Sequence, residues 1–92
     1  MATVQSSTDI EKSVTDSTFV SFDNQICRAM DVINNTSHDI LVRRNVNGVA
    51  GVQFFVAKGS YKKVDGIENA NQVQIARHSG SGAITVQATT YA

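Results

Sequence analysis

The sequence predicts an all-β domain, a compact antiparallel β-sandwich or small barrel of six to eight short strands with an extended N-terminal arm. Three observations carry this reading. From Phe19 onward, short runs rich in Val, Ile, Phe and Thr are separated by Asn, Gly, Ser and Asp at intervals of roughly 8–12 residues, as in strands joined by turns. Several of these runs alternate polar and apolar residues with period two, which places one face of a strand on a core. The 92 residues leave room for one such core and no more.

Residues 1–18 are rich in Ser and Thr and acidic through Asp9, Glu11 and Asp16, with only Lys12 opposing. Such a segment buries too little apolar surface to order itself, so it is expected to be a flexible arm that orders against a partner. Thr8-Asp9-Ile10-Glu11 has capping-box spacing, with Ile10 and Val14 one helical turn apart, which leaves room for one short helix. Residues 19–92 then form a single β domain. Thr18-Phe19-Val20-Ser21-Phe22 reads as a first strand or as the anchor of the arm.

Residues 26–33 are the longest candidate strand, and Asn34-Asn35-Thr36-Ser37-His38-Asp39 is a strong turn run, because Asn and Asp tolerate left-handed angles and bond neighbouring amides. Residues 40–44 follow as the return strand of a hairpin. Asn47-Gly48 and Gly51 break the chain before Val52, Phe54 and Val56 alternate onto one face, expected to be core. Lys58-Gly59-Ser60 turns the chain into a short strand at residues 61–64. Residues 72–77 and 83–88, joined by Ser79-Gly80-Ser81-Gly82, read as a last hairpin.

Chemistry is sparse. His38 and His78 lie forty positions apart in or beside turns, without the closely spaced ligand pair that zinc sites use. Ser37-His38-Asp39 has the residue types of a hydrolytic triad, but triads are assembled from separated loops. Gly80-Ser81-Gly82 joins two strands and lacks the helix and lysine of a phosphate loop. Cys27 is read as a small buried hydrophobe. No catalytic residue, metal or cofactor is therefore expected. Equal numbers of acidic and basic side chains, eight of each, remove the electrostatic drive of a nucleic-acid binder. No segment approaches a membrane span, and the first residues do not resemble a signal peptide, so cytoplasmic synthesis is expected.

What remains points to protein contacts. Charged residues are only 17% of the chain, and the charge is uneven: residues 1–24 carry one basic and four acidic groups, net −3, and residues 25–92 seven and four, net +3. An acidic arm could embrace the basic body of a neighbouring copy, or the charges could simply be solvated. Phe54 and Phe55 are adjacent, so in a strand only one can enter the core. Phe19 and Phe22 raise the same question at the root of the arm. Phe19, Phe22, Phe55, Arg43, Arg44 and Tyr61 are the candidate interface residues.

The run from Val32 to Arg43, the Gly-bounded Phe strand after it, and Val73-Gln74-Ile75-Ala76-Arg77-His78-Ser79-Gly80-Ser81-Gly82 together resemble small β-sandwich structural proteins of tailed-bacteriophage virions. Head decoration proteins and short adaptor or fibre modules belong to this group. The resemblance spans residues 25–90 and carries no functional residue across. It implies a non-enzymatic protein, made in the host cytoplasm and located in the virion, that forms homo-oligomers or binds capsid or tail proteins. The alternative is a domain that recognises a glycan or cell-surface polymer, against which the absence of Trp counts.

Overall fold

Period-two alternation decides which side chains leave water. Ile40 and Val42, Val73 and Ile75, Met30 and Val32, and Val86 and Ala88 each sit two apart on a strand and are each at most 1% exposed. The computed structural model describes residues 7–92. Among them the strands are β1 (Ser7–Val14), β2 (Val20–Ser21), β3 (Ala29–Ile33), β4 (Ile40–Val46), β5 (Val49–Ala50), β6 (Phe54–Val56), β7 (Tyr61–Asp65), β8 (Val73–Arg77) and β9 (Ile84–Tyr91).

They form two antiparallel sheets. The first has the order β1-β9-β3-β7; in the second β2-β8-β4 is completed by β5 and β6, which both pair with β4. Along the chain the strands alternate between the sheets from β1 to β4 and again from β6 to β9, with β4 and β6 paired in the second sheet and β5 a two-residue side branch of β4. This connectivity is the double-Greek-key, or jelly-roll, form of the β-sandwich. The core between the layers holds Phe22, Met30, Ile40, Ile75 and Val86 as its larger members.

Four sequence expectations need correction. The first concerns the arm. Residues 7–14 are a full edge strand in their own domain, paired with β9 from Ser7 opposite Tyr91 to Val14 opposite Ile84. Ile10 and Val14, spaced for a helix, lie equally well on one face of a strand, and there they pack on the core. The part of the expected arm formed by residues 1–6 lies outside the described residues.

Second, the three expected hairpins are crossings between the sheets. β3 and β4, β6 and β7, and β8 and β9 each lie in different sheets. The turn residues reverse the chain as read, but connections of four to six residues also span the roughly 10 Å between packed sheets. A two-residue link cannot, and the tight hairpin forms instead at Asn47-Gly48, where φ of 53° and 78° gives a type I′ turn between β4 and β5.

Third, the strand expected over residues 26–33 begins only at Ala29. Ile26 is 79% exposed and makes a single bridge to Asn69, while Cys27 is buried. Fourth, Phe22, expected at an interface, is 1% exposed in the core, where burying a side chain of that size contributes about 1.5–3 kcal/mol.

The three crossings converge at one end of the sandwich, which is closed by buried polar groups. Asn34 is fully buried; its Nδ2 donates to the carbonyls of His38 (2.8 Å) and Val56 (3.0 Å), and its Oδ1 accepts from the Thr36 hydroxyl at 2.6 Å. Arg77 is also buried, donating from Nη1 to the Gly82 carbonyl at 2.7 Å and from Nη2 to His38 Nδ1 at 3.1 Å.

Candidate protein interface

Opposite treatment is given to the flank formed by β6 and β7. The sequence places two aromatics side by side on β6, and a three-residue strand at a sheet edge can cover neither. Phe54 lies opposite Val42 and so points toward the gap between the sheets, yet it remains 44% exposed because β4 is its only neighbour strand. Phe55 points to the outer side and is 55% exposed, touching His78 edge-on with ring centres 5.1 Å apart. Neither phenylalanine enters the core, and of the expected core face Val52-Phe54-Val56 only Val56 is buried.

A groove of about 180 Å³ opens between β4 and β7 beside Phe54. Arg43, Arg44, Lys62 and Lys63 line it, with Asp65 the one acid among its lining residues. The Lys62 ammonium sits 4.1 Å from the centre of the Phe54 ring, a contact in which the ring face attracts the cation. Arg44 donates from Nη1 to the Asp65 carbonyl at 3.1 Å, bridging from one sheet to the edge of the other. Tyr61, 67% exposed, lies at the start of β7 beside a shallow depression that Asp31 and Ser60 help to line.

Of the candidates read from the sequence, Phe55, Arg44 and Tyr61 share this flank. Arg43 reaches it too, although its guanidinium also stacks 3.9 Å over Phe19 and its Nε donates to Gln74 at 2.8 Å. Phe19 is half-buried beneath it, near β2 on the other flank. Phe54, expected in the core, and Lys62 and Lys63, which were not among the candidates, complete the site. The signal for Phe54 was present, since a six-residue, mostly apolar run between Gly51 and Gly59 is short enough to be an edge.

Other chemistry stays dispersed. Among the described residues no group of three or more His, Cys, Asp or Glu side chains comes together to hold a metal. His38 faces Arg77, whereas Asp39 accepts the Lys58 amide at 3.0 Å, so these two members of the Ser-His-Asp run have separate partners. Burial pushes the Cys27 thiol pKa up. The Tyr91 phenol, which donates to Asp31 Oδ2 at 2.9 Å, is also raised, first by that bond to a carboxylate and then by burial. The chain matches no family model, no curated protein and no solved structure.

Proposed function

We propose that this chain is a non-enzymatic structural protein of a virion, a capsid decoration or tail and adaptor module, that binds neighbouring protein subunits through its β6–β7 flank. One observation carries the reading: Phe54, Phe55 and Tyr61 stand exposed along two strand edges beside a groove toward which Arg44 and Lys62 face. Open strand edges and aromatic anchors are protein-docking devices. The jelly roll is a fold of viral capsid domains and also of lectins, so it agrees with a lattice role while the flank supplies the specific support.

Light scattering on the full chain over a concentration series tests this. The mass is expected to rise above that of one chain, and Phe55→Ser to move the rise to at least about tenfold higher concentration. A chain that stays monomeric at every concentration, with or without that substitution, overturns the reading.

The depression beside Tyr61 favours a second reading, recognition of a glycan or cell-surface polymer, because an aromatic face next to Asp31 and Ser60 suits a sugar ring. Retention on a glycan array that is lost in Tyr61→Ala would favour it over assembly.

A further inference from the structure

Both sheets run out at the same two flanks. One flank is formed by β1 and β2, tied by the Lys12–Asp23 ion pair at 2.8 Å, and the other by β7 and β6, tied by Lys62 over Phe54. Among the described residues nothing pairs with the outer edges of β1 and β7. Every pairing across the first sheet is antiparallel, so β1 and β7 run in opposite directions. A second copy in the same orientation would therefore present its β1 antiparallel to β7.

The cross-strand rows show what such a junction would bring together. On the outer face of the first sheet one row reads Asp9, Thr89, Asp31, Lys63, beginning with an acid at the β1 edge and ending with a lysine at the β7 edge. The next reads Glu11, Gln87, Ile33, Tyr61. The third reads Ser7, Tyr91, Ala29, Asp65. Joined row to row, the copies put Asp9 against Lys63, Glu11 against the Tyr61 phenol and Ser7 against Asp65, with no like charges opposed. In the second sheet the row Val20, Ile75, Val42, Phe54 ends apolar at both edges. By continuation of that register Phe19 falls on the row of Ala76, Leu41 and Phe55. The same displacement thus matches charge in one sheet and apolar side chains in the other.

From these rows we infer that the partner of the β6–β7 flank is the β1–β2 flank of a second copy of this chain, joined head to tail so that β1 extends the first sheet at β7. This rests on the assembly reading above and specifies its partner. Self-complementary contacts are disfavoured by the same charges. Two β1 edges would oppose Asp9 and Glu11 to their own copies or to each other, and two β7 edges centred on Lys62 or on Lys63 would oppose like cations. A head-to-tail contact of this kind produces a ring where the rotation closes and a filament where it does not.

Charge exchange tests the pairing. Asp9→Lys and Lys63→Glu are made singly in the full chain, with circular dichroism to establish that each folds, and their masses are followed over concentration. Each alone is expected to associate at least about tenfold more weakly than the parent. An equimolar mixture of the two is expected to regain assembly. At one junction the two exchanged charges face each other with opposite sign, and at the next the native Asp9 of one variant meets the native Lys63 of the other. Mixtures that behave as the average of the two variants overturn the inference. Should the parent associate and lose strength in Phe55→Ser while both charge variants behave as the parent, the assembly reading survives and the head-to-tail pairing falls. A parent that is monomeric throughout overturns both.

Discussion

The short strand β6 joins two regions built on opposite terms. At Val56 the backbone carbonyl is taken by buried Asn34, at the end where the crossings between sheets meet. One and two residues earlier Phe55 and Phe54 lie open on the flank. At the closed end the buried polar side chains Asn34 and Arg77 are bonded to backbone and to His38. The flank holds large apolar surface against water and is softened only by lysine and arginine. The difference separates two tasks: the closed end fixes the fold, and the flank stays available for association.

Breaking the closed end gives the largest expected effect. Asn34→Ala would remove a buried donor from the Val56 carbonyl, one of two donors from the His38 carbonyl, and the acceptor of the Thr36 amide, costing about 2–4 kcal/mol of folding stability in urea unfolding. Phe55→Ser, on the same strand system but at the flank, is expected to change that stability by less than about 1 kcal/mol. Equal losses in the two variants would mean that the flank is part of the folding core and the separation is false.

Two glycines sharpen the contrast further. Gly82 has φ of 120°, and a Cβ there would sit 3.2 Å from Arg77 Nη1, the atom that donates to the Gly82 carbonyl. Gly48, in the hairpin next to the flank, has φ of 78° and open space around the same position. Both alanine variants meet the backbone penalty of about 1–2 kcal/mol for an L residue at such angles. Gly82→Ala is expected to cost more, because Arg77 must also shift. Thermal unfolding of the two would show it, and a larger loss for Gly48→Ala would place the rigid region at the wrong end.

Much of the fold was legible in the residues. The strand runs that became β4, β8 and β9 were located by their apolar and β-branched residues, the period-two alternation of residues 72–77 set Val73 and Ile75 on one face, and the turn runs at residues 34–39 and 79–82 were located by Asn, Asp and Gly. Pairing was not legible, because a turn of four to six residues serves a hairpin and a crossing alike, and only the distance between sheets decides. β1 was hidden for another reason. Its Ser- and Thr-rich composition buries just Val14 fully, and its order comes from eight pairings with β9, seventy or more residues away. Of the site, Phe55, Tyr61 and Arg44 could be read from their residue types, whereas Lys62 gained meaning only from the groove that sets it beside Arg44 and Phe54, and Lys63 only from its place at the open edge of β7.

Cys27 offers the smallest and most selective test, since it belongs to the core that both regions share. In the folded chain burial raises its thiol pKa, so the proton is held to higher pH than in the unfolded chain, where a thiol titrates near about 8.5. Above that value the unfolded chain binds fewer protons than the folded one, and stability falls as pH rises; below it the thiol contributes no slope. Tyr91 acts with the same sign, but its ordinary value is about 10 and it is present in the parent and in Cys27→Ala alike. The expected outcome is that the urea midpoint of the parent falls further between pH 7 and about pH 9.5 than that of Cys27→Ala. Parallel falls would mean that solvent reaches the thiol, and that the core beneath β3 is looser than the closed end it supports.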